Sequence, residues 1–276
     1  MGDFKGGDRS KPAELSNTGF LARWKHLKKS QEVHMYGRLH ADICNFPQLL
    51  INGVKIQVKL TKARPAFYLL SSKEDATVYF KIQETLLYFK RIKPSASVMT
   101  AHNEALIAGC PLKYNLKRIE LKSFTFSAGL QSLSMDNAVL GRLPKRLNVT
   151  MVKNTHFLSN MATNPFYFRH YDLNHFALYV NGKHIPPEGL SLDMSREKTA
   201  VMGYRTLFEG SGIRHSNIGF QISPAKFING YFMLVFDLTP DLAASEGHTS
   251  WQHSSRTEIC KSSARPSRLL TVLGIR

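Results

Sequence analysis

The stretch Arg169-His170-Tyr171-Asp172-Leu173-Asn174-His175-Phe176-Ala177-Leu178-Tyr179-Val180-Asn181-Gly182-Lys183-His184-Ile185-Pro186-Pro187 decides the architecture. Successive side chains of an extended chain point to opposite faces. Phe176, Leu178 and Val180 therefore share one face, and Ala177 and Tyr179 the other. Asn181-Gly182 follows at once, and both residue types tolerate the positive φ of a type I′ turn. Lys183, His184 and Ile185 run back. Pro186-Pro187 is expected to end the return strand, because proline has no N–H for the ladder. The stretch predicts a β-hairpin.

The frame recurs in Leu50-Ile51-Asn52-Gly53-Val54 and in Phe227-Ile228-Asn229-Gly230-Tyr231. Three separate β-turns explain it, and so does a duplicated antiparallel module. Outward from these turns, alternation predicts strands over residues 33–43, 48–60, 66–70, 77–93, 114–129 and 146–153. An apolar run over 231–238 reads as a buried strand. Within 77–93 the alternation changes parity at Gln83-Glu84-Thr85, as a bulge or a crossing between sheets would require. Residues 130–137, 157–165 and 211–221 read as loops. Helices are expected near residues 20–27 (Phe20, Leu21, Trp24, Leu27), over 97–109 with Ser97 as cap and Gly109 as stop, and over 199–208. Strands at short spacing between Pro, Asn and Gly turns indicate a mainly β fold, a jelly-roll sandwich with one or two short helices.

The chain has 276 residues, 43% of them hydrophobic and 21% charged, which suits a globular protein with a real core. Its 37 Lys and Arg against 20 Asp and Glu give a net charge of +17. Such a balance favours polyanionic partners and bears on association rather than fold. Cys44, Cys110 and Cys260 are far apart, so neither a disulfide framework nor a zinc knuckle is expected, and a reducing compartment follows. The polar N-terminus lacks a signal-peptide core, Gly7 breaks the myristoylation pattern that Met1-Gly2 begins, and no apolar run approaches a membrane span.

No catalytic spacing is present: no His-Glu-x-x-His, no Gly-x-Ser-x-Gly, no phosphate-binding loop. Glu209-Gly210-Ser211-Gly212 lacks the third glycine of a dinucleotide site and reads as loop. His175 and His184 flank the hairpin turn and could face each other, with His170 nearby. No cysteine or carboxylate stands at metal spacing beside them, so they are expected to be structural or solvated. Asp237 and Asp241 read as turn formers. Phe166-Tyr167-Phe168-Arg169-His170-Tyr171 interleaves aromatic and basic residues, the composition of a base-stacking platform. Aromatics filling a sandwich core explain it as well and are preferred. No catalytic, cofactor or metal residue is assigned.

An ordered set of segments carries a resemblance: residues 35–42 (MYGRLHAD), 49–54 (LLINGV), 143–146 (LPKR), 164–168 (NPFYF), 174–182, 229–231 (NGY) and 236–241 (FDLTPD). In this order they resemble the double jelly-roll major capsid proteins of Polinton (Maverick) elements, over about residues 30–248. The resemblance implies a structural, non-catalytic virus-like capsid subunit that needs no cofactor. It implies self-association as a homotrimeric capsomer and an intracellular, virion-like location. A basic nucleic-acid-binding β-module, or non-specific DNA contact through the basic surface, is the alternative suggested by charge. No membrane partner is expected.

The same comparison divides the chain into a disordered basic lead (1–30), a remnant of the first jelly roll (31–74), an incomplete second jelly roll (75–250) and a divergent basic tail (251–276). The tail is expected not to replace the closing strands of the family. Only Leu269, Leu270, Val272 and Leu273 are read as able to pair, and then with an edge. An open edge at residues 231–238, marginal stability and aggregation are the consequences expected.

Overall fold

The computed structural model describes residues 18–45, 48–69, 79–114, 116–127, 130–158, 161–194, 200–244, 254–262 and 268–275. Its helices are α1 (Thr18–Leu27), α2 (Asp42–Asn45), α3 (Pro65–Tyr68), α4 (Ala96–Ile107), α5 (Asn154–Phe157), α6 (Val201–Ser211) and α7 (Pro224–Ile228). Its strands are β1 (Ile119–Phe126), β2 (Ser132–Arg142), β3 (Arg146–Lys153), β4 (Phe168–Arg169), β5 (His175–Val180), β6 (Lys183–Ser191), β7 (Asn229–Gly230), β8 (Met233–Asp237), β9 (Ser254–Ser262) and β10 (Arg268–Ile275). The expectation of a mainly β chain with one or two short helices is corrected: this is a mixed α and β structure, in which α1, α4 and α6 each run ten residues or more.

The opening hairpin forms as read. Asn181 and Gly182 take φ of 52° and 77°, and the ladder closes Val180 on Lys183, Tyr179 on His184 and Leu178 on Ile185. The prolines do not end the return strand, however. Pairing resumes at Phe176 with Leu190, so residues 186–189 stand opposite Ala177 alone. Prolines are tolerated there because a bulge asks for no ladder donor.

From this tip the pairings nest. β5 pairs β6, β3 pairs β8, β2 pairs β9 and β1 pairs β10, all antiparallel. Two further ladders, β10 with β3 and β9 with β5, join the pairs side by side. The result is two four-stranded sheets, β1-β10-β3-β8 and β2-β9-β5-β6, with β4 and β7 as a small separate pair.

Core residues come from both sheets. Leu147, Val149 and Met151 of β3 and Leu234 and Phe236 of β8 form one buried cluster with Ala138 and Val139 of β2, Phe176 and Leu178 of β5 and Leu190 of β6. Phe176 stacks on Phe236 across the gap, ring centroids 5.4 Å apart. Each such side chain contributes about 1.5–3 kcal/mol by leaving water.

The tail expectation is overturned. β9 and β10 lie in the span read as a divergent tail, and each sits between two other strands rather than at an edge. Ladder hydrogen bonds come from the main chain, so a segment poor in apolar side chains can still occupy a sheet interior. Positions 270, 272 and 274 of β10 stand opposite Met151, Val149 and Leu147. In the expected disordered lead, residues 18–27 form α1, and residues 1–17 lie outside the described residues.

The strands expected before residue 114 are also corrected. Among the described residues none of 33–43, 48–60, 66–69 or 79–93 joins a ladder, while α2 and α3 occupy parts of the first and third. Residues 70, 77 and 78 lie outside the described residues. Pro65 at the first helical position favours α3. Alternation marks a chain able to pair, but a strand needs a neighbour, and these segments have none among the described residues. The loop expected over 130–137 is instead the start of β2. A register shift between Met135 and Val139, with Asn137 at φ 55°, breaks the alternation that would have revealed it.

Candidate functional site

Each sequence candidate has a place in this frame. Phe166 packs edge-on against Phe67, ring centroids 5.0 Å apart, while Tyr171 packs on the core. Tyr167 lies over Gly230, where an added Cβ would come within 2.6 Å of its ring. The aromatics of this run therefore face different neighbours and do not form one exposed platform. Arg169, in β4, is exposed.

This same contact corrects the third Asn-Gly. Asn229 caps α7 and donates from Nδ2 to the Ala225 carbonyl, and Gly230 pairs with Phe168 in β4. Its φ of 105° serves the close approach of Tyr167 rather than a hairpin turn. Asn52-Gly53 is a turn, with Gly53 at φ 90°, but no strand flanks it among the described residues. Among the described residues a duplicated module is not formed.

The histidines do not converge. His184 stands opposite Tyr179, rings 4.1 Å apart, whereas His175 stands opposite Ser191 with its ring against Gly189. His170 accepts the Asp172 N–H at Nδ1, 3.0 Å away, and meets the Phe232 ring. No group of three or more His, Cys, Asp or Glu among the described residues could hold a metal. Glu209-Gly210-Ser211-Gly212 is the end of α6 rather than a loop, and Gly212 closes it in the left-handed conformation. Glu209 pairs with Arg205 one turn back and with Arg214. Cys44 and Cys110 are free and exposed.

Asp237 is the turn former it was read to be. Its Oδ1 accepts from the Thr239 N–H at 2.9 Å and the Thr239 hydroxyl at 2.6 Å, and its Oδ2 accepts from the Ala244 N–H at 3.0 Å. Asp241 accepts the Ala243 N–H. Across the ladder from Asp237 stands Arg146. Burial pulls the Arg146 guanidinium below its ordinary value, against the opposing pull of Asp237.

The features with consequences for assembly are the sheet edges. β8 ends one sheet, and its main chain would be free to pair with another molecule. Helix α6 closes it. The Thr206 hydroxyl accepts the Val235 N–H at 3.3 Å and donates to the Gly203 carbonyl at 2.7 Å. Gly210 comes so close that an added Cβ would stand 2.5 Å from the Val235 carbonyl oxygen. The open edge expected over 231–238 is thus covered by a helix that sequence reasoning placed but did not assign to this strand. β1 ends the same sheet on the other side, with Ile119 and Leu121 each about 60% exposed. No helix of the described residues is long and apolar enough to cross a membrane.

This arrangement offers sheet edges and exposed faces for contact, and among the described residues it brings no acid, base and nucleophile together. No protein-family model matches the chain. It is similar to "Uncharacterized protein F54H12.2" of Caenorhabditis elegans, 22% identical over 214 residues, which is 70% of this chain and 51% of that protein. The chain therefore spans about half the length of the curated relative it matches.

Proposed function

We propose that this chain is a structural, non-catalytic subunit of a virus-like shell, resembling the double jelly-roll capsid proteins of Polinton (Maverick) elements. The nested strand order carries the reading. Four antiparallel pairs, β1·β10, β2·β9, β3·β8 and β5·β6, joined into two sheets that share a core, support the reading of an eight-stranded jelly roll. In that roll Asn181-Gly182 is the tip, and residues 119–275 supply all eight strands. The ordered sequence segments are independent support, since they lie both before and within this region.

Homotrimeric association follows from the resemblance. Size-exclusion chromatography with light scattering, at rising concentration and at low and high salt, is the test. Salt matters because a net charge of +17 opposes self-association by repulsion. Trimers that grow with concentration support the reading, and a monomer under every condition would remove it.

That charge also favours a second reading, non-specific DNA binding by the same shell or by the module alone. If six phosphates are touched, affinity should fall by about a thousandfold between 50 and 200 mM salt. Binding that is insensitive to salt would dismiss it.

A further inference from the structure

Two stretches ahead of the sheets stand largely exposed and carry no regular secondary structure. Val54, Ile56, Val58 and Leu60 are 48, 53, 45 and 67% exposed, and Lys55, Gln57 and Lys59 alternate with them. In the extended form of a strand, period 2 would put the four aliphatics on one face and the lysines on the other. The second stretch, residues 79–93, starts close to the chain that follows the first: Lys62 Nζ donates to the Phe80 carbonyl at 3.1 Å, and Tyr68 meets the Phe80 ring edge-on. Neither stretch belongs to a ladder among the described residues. A β-branched face beside unpaired main chain is the form of a strand that lacks its neighbour.

Charge selects the neighbour. Residues 51–69 and 79–93 together hold eight Lys and Arg, and Glu84 is their single acid. A second copy pairing through the same stretch would set lysine against lysine, and like charges directly opposite destabilise a ladder. Residues 54–60 themselves hold no aromatic side chain with a flat face for base stacking, which disfavours a nucleic acid there; the exposed Tyr79, Tyr88 and Phe89 lie outside this stretch.

We propose that residues 54–60 accept, by strand addition, an extended acidic segment of another polypeptide in which aliphatic and acidic residues alternate. Main-chain hydrogen bonds supply the affinity, the aliphatic face sets the register, and Lys55 and Lys59 select the sign of charge. This goes beyond the shell reading and does not rest on it.

Calorimetric titration of the full chain tests it with three probes: a peptide alternating valine and glutamate, its valine–lysine counterpart, and oligo(dT). The glutamate peptide should bind and the lysine peptide should not. Ile56→Pro removes a main-chain donor from a segment outside every ladder of the described residues, so it should leave the circular dichroism unchanged and weaken the peptide by about tenfold or more. Reversing Lys55 and Lys59 to glutamate should weaken it by roughly three- to tenfold. Failure of the glutamate peptide to bind would overturn the proposal. So would undiminished binding by Ile56→Pro, which would leave only charge attraction, or oligo(dT) binding more tightly than the peptide at a site lost with Lys55 and Lys59.

Discussion

Gly210 is the residue where packing leaves least room. Alanine would be the better helix former by up to about 1 kcal/mol. Its Cβ, however, would sit 2.5 Å from both the Val235 carbonyl oxygen and Val235 Cγ1, and the backbone of an interlocked strand cannot step aside. The clash wins, and Gly210→Ala should lose about 1–3 kcal/mol in urea unfolding. Thr206→Val keeps the shape but strands the Val235 N–H, for a loss of about 1–3 kcal/mol. Arg169→Ala, at an exposed position in the small β4–β7 pair, should change stability by no more than about 0.5 kcal/mol. At this scale the sequence was most legible where backbone conformation restricts the residue type. Asn181-Gly182 announced its turn because few residues accept two consecutive positive φ values. Gly230 carried the same signature for a different reason, the ring of Tyr167, and no local pattern separates the two.

At the scale of elements, periodicity found β3 over Arg146–Lys153 and the buried run of β8, because both show strong apolar patterns. It found α4 within two residues, although Ser95 rather than Ser97 holds the N-cap position. It missed β2, whose alternation is broken by the register shift after Met135. It misjudged β9 and β10, because a count of apolar side chains does not register ladders made by the main chain. The consequence is testable by truncation. Without residues 254–276 one sheet would split into β1 and β3-β8, and the other into β2 and β5-β6. Two-stranded remnants are marginal in water. The truncated chain should therefore show no cooperative thermal transition, whereas the full chain should melt in one. A truncated chain that melts as sharply as the parent would show that these strands are dispensable.

For the whole molecule, the segments before residue 114 and the two sheets contrast. The sheets bury a common core, while Val54, Ile56, Leu86, Leu87, Tyr88 and Phe89 all stand exposed ahead of them. Sequence pattern alone cannot tell these regions apart, since it reports the capacity to pair and not the presence of a partner. Both proposals draw on that contrast: two sheets with a common core over residues 119–275, and exposed segments ahead of them that join no ladder among the described residues. The premise beneath it is the placement of β9 and β10 inside the two sheets, where a divergent tail able to pair only with an edge was expected. Native-state hydrogen exchange measures it residue by residue. Each interior strand has neighbours on both sides, so its amides exchange only when the sheet opens. The amides of Arg268–Ile275 should be protected together with those of Arg146–Lys153, its interior neighbour, sharing one opening free energy. Exchange of Arg268–Ile275 at the rate of an unstructured peptide, while Arg146–Lys153 stays protected, would contradict the placement of β10 inside the sheet.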